Sequence, residues 1–172
     1  MTSTRSTATF SRRANLEWTG DVPRGSGRVT AGSAAFSIAA AFPRLAGEPA
    51  GTTTPEELLA ASHATCFGIA LRSVLATRGG SARWISVTAT VTVDKGGGQI
   101  LVRTSHLDGV VHGLEGVSAA ELAVLAREAE TRCTISRFLR ATIPITLTVS
   151  AAQDETSAAQ DETSTEVRPH VD

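Results

Sequence analysis

Thr54-Pro55-Glu56-Glu57-Leu58-Leu59-Ala60-Ala61-Ser62-His63-Ala64-Thr65-Cys66-Phe67-Gly68-Ile69-Ala70-Leu71 carries the strongest local signal in the chain. Thr54 offers a side-chain oxygen to the first free N–H groups of a helix, Pro55 suits the first helical position, and Glu57 completes a capping box. The pattern predicts a helix running on to Gly79-Gly80, where glycine supplies the left-handed conformation that ends it. Between Leu58 and Leu71 there is no Asp, Glu, Lys or Arg. A helix apolar all round is a buried helix, so this one is expected to run through the centre of the fold.

Upstream, Ala14 to Trp18 and Arg28 to Thr30 read as strands flanking the Gly-rich turn Gly20-Asp21-Val22-Pro23-Arg24-Gly25-Ser26-Gly27. Ala35 to Ala41 is a third candidate strand, and the loop from Phe42 to Thr53 carries Arg44 and Glu48 toward the helix. Downstream, Arg83 to Asp94 alternates Ile85, Val87, Ala89, Val91 and Val93 against Ser86, Thr88, Thr90 and Thr92, the period of a half-buried strand. Lys95-Gly96-Gly97-Gly98 turns it into a return strand from Gln99 to His106. Ser118 and Glu121 form a second capping box, followed by Leu122, Leu125 and Ala129 at helical spacing. A short helical turn reaches Leu139, and Ala141 to Ser150 alternates as a closing strand.

With 172 residues and 41% hydrophobic composition the chain holds enough apolar material for one core. We expect a flexible N-terminus over 1–11 and one folded domain over 12–150. In the tail, 151–172, the polar heptapeptide Ala-Ala-Gln-Asp-Glu-Thr-Ser occurs twice and buries too little to order itself. A net charge of -1 with interspersed signs argues against nucleic acid as a partner. No apolar run approaches the ~20 residues that cross a bilayer, so a membrane partner is not expected either. Met1 to Ser11 lacks the apolar core of a secretory signal, which makes the expected location cytoplasmic. Two cysteines in such a chain suggest redox, nucleophilic or metal chemistry more than a structural disulfide.

Strands on either side of helices without βαβ alternation indicate an α+β fold, with antiparallel sheets packed around the long buried helix. Sheets of this size cover one side of such a helix. A second copy packing its own central helix alongside covers the other, so the expected assembly is an intertwined homodimer.

The candidate chemistry centres on Cys66, which is read either as a small buried hydrophobe or as a nucleophile. His63, three residues earlier, is read as a hydrogen-bonded core histidine in preference to a metal ligand. A closed zinc site takes four ligands, and there is no Cys-x-x-Cys and no second His-x-x-Cys pair. Around Cys133, Arg132, Arg137 and Arg140 would favour a thiolate, although arginines so placed also describe a solvated face.

The run from Pro55 to Phe67 resembles the signature of the OsmC/Ohr family of thiol-dependent peroxidases, and of its OsmC-like branch in particular. Trp18-Thr19-Gly20 before a Gly-rich turn, Arg44 in the loop, Gly51 four residues before Pro55, and Cys133 in the sequence Arg-Cys-Thr-Ile-Ser extend the likeness over roughly residues 12 to 150. The resemblance implies that Cys66 is the peroxidatic cysteine and Cys133 the resolving one. It places the family's catalytic glutamate at Glu56 and its thiolate-steadying arginine at Arg44, with Arg24 as the rival. Thr134 stands where the family often has proline. The activity implied by the resemblance is that of a peroxidase which reduces organic hydroperoxides, is recycled by a dithiol, and uses neither a cofactor nor a metal. The alternatives are a non-catalytic module holding an apolar ligand near Cys66, and a hydrolase using Cys66 with His63.

Overall fold

The computed structural model describes residues 8–22, 24–44, 47 and 50–152. The duplicated heptapeptides, expected to form a disordered tail, lie almost wholly outside the described residues, as does most of the N-terminus. The chain divides into two compact units, one ending at Leu59 and one starting at Ala60.

In the first unit, β1 (Ala14–Thr19), β2 (Ser26–Ala31) and β3 (Ser37–Ala41) form an antiparallel meander. A two-residue strand, β4 (Thr52–Thr53), adds to β3 in parallel. The Gly-rich turn between β1 and β2 closes around the Trp18 indole, which donates to the Gly20 carbonyl at 3.1 Å. A Cβ at Gly25 would stand 2.6 Å from the same indole nitrogen, so the turn admits only glycine there.

Helix α1 spans Pro55–Thr77 without interruption. Its start follows the capping pattern in part. The Glu57 N–H donates to the Thr54 hydroxyl at 3.3 Å, whereas the Glu57 carboxylate accepts from the Thr53 hydroxyl at 2.6 Å. At its end Gly79 sits at φ 75° and the Gly80 N–H returns to the Leu75 carbonyl, the wrap that closes a helix on a left-handed glycine.

The second unit is built on β5 (Trp84–Gly96), β6 (Gln99–His112) and β7 (Ile145–Ala151), in the order β5-β6-β7. The alternation of β5 is as its sequence predicts. β6, however, continues past His106 to His112, because the pairing skips a residue: Val93 faces Val102 while Thr92 faces Thr104. The extra residue, Arg103, makes a β-bulge that resets the inward phase. Ile100 and Val102 are half-buried on one side of it, and Ser105, Leu107, Gly109 and Val111 are buried on the other. A strict period of two breaks at this change of phase, which is why the sequence pattern ends the strand too early.

β7 pairs with β6 in parallel, as β4 does with β3, so both sheets are mixed and the expectation of antiparallel sheets is corrected. The reason lies in the connection. Two helices, α2 (Ala119–Arg132) and α3 (Thr134–Leu139), carry the chain back along the sheet before β7 begins, the long crossover that parallel neighbours require. α2 begins with the predicted capping box, in which Ser118 and Glu121 satisfy each other's backbone N–H.

The core of this unit joins Phe67, Leu71, Val74 and Leu75 of α1 to Leu107 and Val111 of β6 and to Leu122, Leu125, Ala126 and Ala129 of α2. Gly109 leaves room for Val149 of β7, since a Cβ there would lie 3.2 Å from that side chain, and its open side faces the Phe67 ring. On this chain α1 buries one side, the stripe His63, Phe67, Leu71, Val74 and Leu75, as expected of a helix that its own sheets cover on one side. Ala61, Ser62, Thr65, Arg72 and Ser73 are exposed on this chain, and Ile69 keeps 67% of its surface. By length and composition α1 is also apolar enough to cross a bilayer, contrary to the expectation that nothing in the chain approaches that length. Its buried stripe against a sheet is nonetheless the packing of a core helix.

Phe67 is completely buried at the centre of this contact. Its replacement by alanine leaves a cavity that the sheet cannot collapse to fill, and the expected cost is about 3–5 kcal/mol, read as a lower urea midpoint at unchanged m-value. A loss under about 1 kcal/mol would contradict the packing described.

Candidate active site

Cys66 lies one residue before Phe67 on α1 and is half-buried. Cys133 stands at the junction of two helices, ending α2 and capping α3, with extended backbone angles of φ -65° and ψ 118°. Its sulfur accepts from the Ser136 N–H at 3.4 Å, so a thiol takes the place that serine or aspartate usually holds at a helix start. Cys133 is 1% exposed and belongs to the core cluster against which Cys66 packs. Both cysteines are free thiols. Thus two thiols far apart in sequence are brought to the same core cluster.

Burial pushes the Cys133 thiol up, and the proximity of Cys66 adds to this. Hydrogen bonds from the Ser136 hydroxyl and N–H pull the other way. Two of the three arginines expected to favour a thiolate are engaged elsewhere: Arg132 pairs with Glu128 at 2.5 Å, and Arg140 pairs with the buried Glu130, while Arg137 is exposed on α3. Desolvation therefore governs this thiol.

His63 is a hydrogen-bonded core histidine, as expected, and both ring nitrogens are satisfied. Nδ1 meets the Ser105 hydroxyl at 2.8 Å and Nε2 the Ser136 hydroxyl at 2.8 Å. His63, Ser105 and Ser136 are all fully buried. Among the described residues no cluster of three or more His, Cys, Asp or Glu side chains could hold a metal ion. The two serines escape a reading of the sequence. Ser105 sits in a buried β row otherwise made of Leu107, Gly109 and Val111, and a lone serine in such a row is the signal that a polar partner faces it.

The remaining candidates belong to the unit that ends at Leu59. Arg24 is exposed in the β1–β2 turn, where it pairs with Asp21 at 2.9 Å. Arg44 is exposed in the segment after β3. Glu56 is in the first turn of α1, and its Oε2 is buried without a hydrogen-bond partner. Because α1 is unbroken, Glu56 and Cys66 are separated by roughly 15 Å along its axis, beyond the reach of a glutamate side chain. A hollow of about 300 Å³ on the second unit is lined by Gly68, Ile69, Arg72, Arg83, Trp84 and Ile85, and Cys66 is not part of its wall.

An α+β chain with two sheets, a long helix and two apposed free thiols describes a class of small two-cysteine proteins. The model of the OsmC-like protein family matches residues 47–148, and the chain belongs to that family. It is 29% identical over 137 residues to the peroxiredoxin OsmC of Escherichia coli K12, covering 80% of this chain and 95% of that one. Among solved structures it is similar to an organic hydroperoxide resistance protein OsmC from Legionella pneumophila, with a TM-score of 0.68 and 26% identity, covering 84% of this chain and 99% of that one. The organic hydroperoxide resistance protein OhrB of Bacillus subtilis shares the fold, with a TM-score of 0.63 and 22% identity over 83% of this chain and 100% of that one.

Burial holds the His63 imidazole below the ordinary histidine value. In the pH range just below that value the unfolded chain takes up a proton that the folded chain refuses, so stability rises with pH. The contribution is fully present above about pH 6.5 and lost as pH falls toward the folded value. His63→Gln should remove this slope between pH 5 and 7 in a urea-denaturation series, at some cost in stability at every pH. An unchanged slope would show that His63 is not the group responsible.

Proposed function

We propose that this chain is a thiol-dependent peroxidase that reduces organic hydroperoxides to alcohols. The observation that carries the reading is the pair of free thiols, one half-exposed on α1 and one buried at the α2–α3 junction, packed into the same core cluster. In this reading the Cys66 thiolate attacks the distal oxygen of the hydroperoxide, the O–O bond breaks, and the alkoxide leaves as alcohol. Cys66 is then a sulfenic acid. Cys133 displaces its hydroxyl as water, forming the Cys66–Cys133 disulfide, and an external dithiol exchanges with that disulfide to restore both thiols. Membership of the family and the names its relatives carry support the same assignment, and neither step draws on a metal or cofactor.

Cys66→Ser should abolish consumption of cumene hydroperoxide in the presence of dithiothreitol while leaving the fold intact. Cys133→Ser should consume about one equivalent per site and then stall or depend on added monothiol, with oxidised Cys66 and no internal disulfide by mass spectrometry. Normal turnover by Cys133→Ser with every reductant would remove its resolving role.

We further propose that the complete site belongs to a homodimer, with Glu56 and Arg44 of one chain serving Cys66 of its partner. The separation along α1 keeps Glu56 from the Cys66 of its own helix. A second helix running antiparallel along the exposed Ala61–Ser62–Thr65–Ile69 face would bring the partner's glutamate alongside. An Arg44–Glu56 pair would then orient the guanidinium over the thiolate; Arg24, held by Asp21 in its turn, is the second choice. Mixing inactive Cys66→Ser chains with inactive Glu56→Ala chains should restore activity, since one site of each heterodimer is whole. An exchanged mixture that stays inactive, or an active monomer by sedimentation, would place the site within one chain.

A further inference from the structure

α2 ends at Arg132 and α3 begins at Thr134, so Cys133 is the single residue at which one helix turns into the other. On the α2 side its N–H donates to the Ala129 and Glu130 carbonyls. On the α3 side the Arg137 N–H donates to its carbonyl and the Ser136 N–H to its sulfur. Each set finishes one helix, and neither joins the two helices to each other. Among the described residues the hydrogen bond that runs from α2 to the far end of α3 is made by Arg140, the residue that caps α3, to the Glu130 carboxylate. α3 is also tied to α1, the helix of Cys66, where the Ser136 hydroxyl meets His63 Nε2 at 2.8 Å. The Glu130–Arg140 pair is a poor source of stability. Glu130 is 7% exposed, and its Oε1 is buried with no hydrogen-bond partner. A carboxylate taken out of water with one oxygen unmet is penalised for it, and apolar side chains in place of such an ion pair often leave a fold as stable or more so. What the pair does supply is a fixed angle at the hinge where Cys133 stands.

We propose that Glu130 and Arg140 are positioning residues for disulfide formation: their ion pair holds the α2–α3 corner closed and so presents the Cys133 sulfur to oxidised Cys66. The inference rests on the chain being a thiol-dependent peroxidase. In the step concerned the Cys133 S–H bond and the Cys66 S–O bond break and the S–S bond forms. The Cys133 proton leaves with the displaced hydroxyl as water, the Cys133 sulfur is oxidised and the sulfenic sulfur reduced. The attacking sulfur has to stand in line with the departing oxygen, and a misplacement of about 1 Å slows such a step by up to about a hundredfold. A corner free to hinge at Cys133 spreads its sulfur over many such misplacements. The earlier attack of Cys66 on the hydroperoxide takes place on α1 and does not use the corner.

The test is a single turnover of the full chain with one equivalent of cumene hydroperoxide and no reductant. Sulfenic Cys66 is trapped with dimedone and the disulfide is quantified by mass spectrometry at successive times. The decisive variant is the double substitution Glu130→Leu with Arg140→Met, which removes the tie and leaves no charge unpaired. Its melting temperature is expected to equal or exceed that of the wild type. Its sulfenic acid should form at the usual rate, and its disulfide about tenfold or more slowly. Arg140→Lys, which keeps a cation for the Glu130 carboxylate, should retain most of the rate. A double variant that closes the disulfide as fast as the wild type, or slowing that only follows a loss of melting temperature across the variants, would overturn the proposal. Hydrogen exchange of the wild type gives a reading that needs no variant to fold. The Ser136 and Arg137 amides, both bonded to Cys133, should exchange as slowly as the Leu71 amide in the middle of α1. Faster exchange there, through an opening of the corner alone, would overturn the proposal as well. A wild type that forms no internal disulfide with peroxide would instead remove the peroxidase reading, and this positioning role with it.

Discussion

One imidazole ties the site together. His63 extends the apolar stripe of α1 by a turn, in a place otherwise fit for leucine, and its two nitrogens reach a strand on one side and a helix on the other. Removing such a group from water is costly unless each polar atom is met, and here each is. The same two bonds fix the rotation of α1 against β6 and the seat of α3 against α1. They thereby decide where Cys66 and Cys133 stand. The two cysteines share one core cluster because the elements that carry them share this buried polar clasp, with Phe67 packed in the same cluster.

Burial also sets the two thiols apart. Cys66 remains half-buried, open enough to meet a molecule from solution, while Cys133 is sealed behind it at the helix junction. A thiol held protonated by desolvation, with its acid strengthened only by the donors of Ser136, is a poor target for outside oxidants and is well placed for a sulfur beside it. Of the nearby arginines whose positive charge the sequence suggested would act on this thiol, Arg132 and Arg140 are absorbed by Glu128 and Glu130.

Local rules were legible where a few neighbouring residues settle the outcome. The Ser118–Glu121 box, the glycine end of α1, the alternation of β5 and the short helix after Cys133 all arise from spacing within a few positions. Long-range pairing was less so. Nothing within β7 states that it will lie parallel to β6, since its direction depends on how α2 and α3 span the sheet. The bulge at Arg103 defeats a period-two reading by adding one residue, and β4 is too short to carry a pattern. Ser105 and Ser136 each look ordinary until the fold places them on opposite sides of one ring. Glu57 shows the same limit on a small scale: its capping position was readable, its bond to Thr53 was not.

The use of sulfur as a helix cap has a mechanical consequence. A cap made by a hydroxyl or carboxylate would have to be given up if that group were consumed in a reaction. What the Ser136 N–H binds, however, is a lone pair on Cys133, and a sulfur retains lone pairs whether it is bonded to hydrogen or to another sulfur. The first turn of α3 can therefore keep its anchor through a change in covalent bonding at the atom that anchors it.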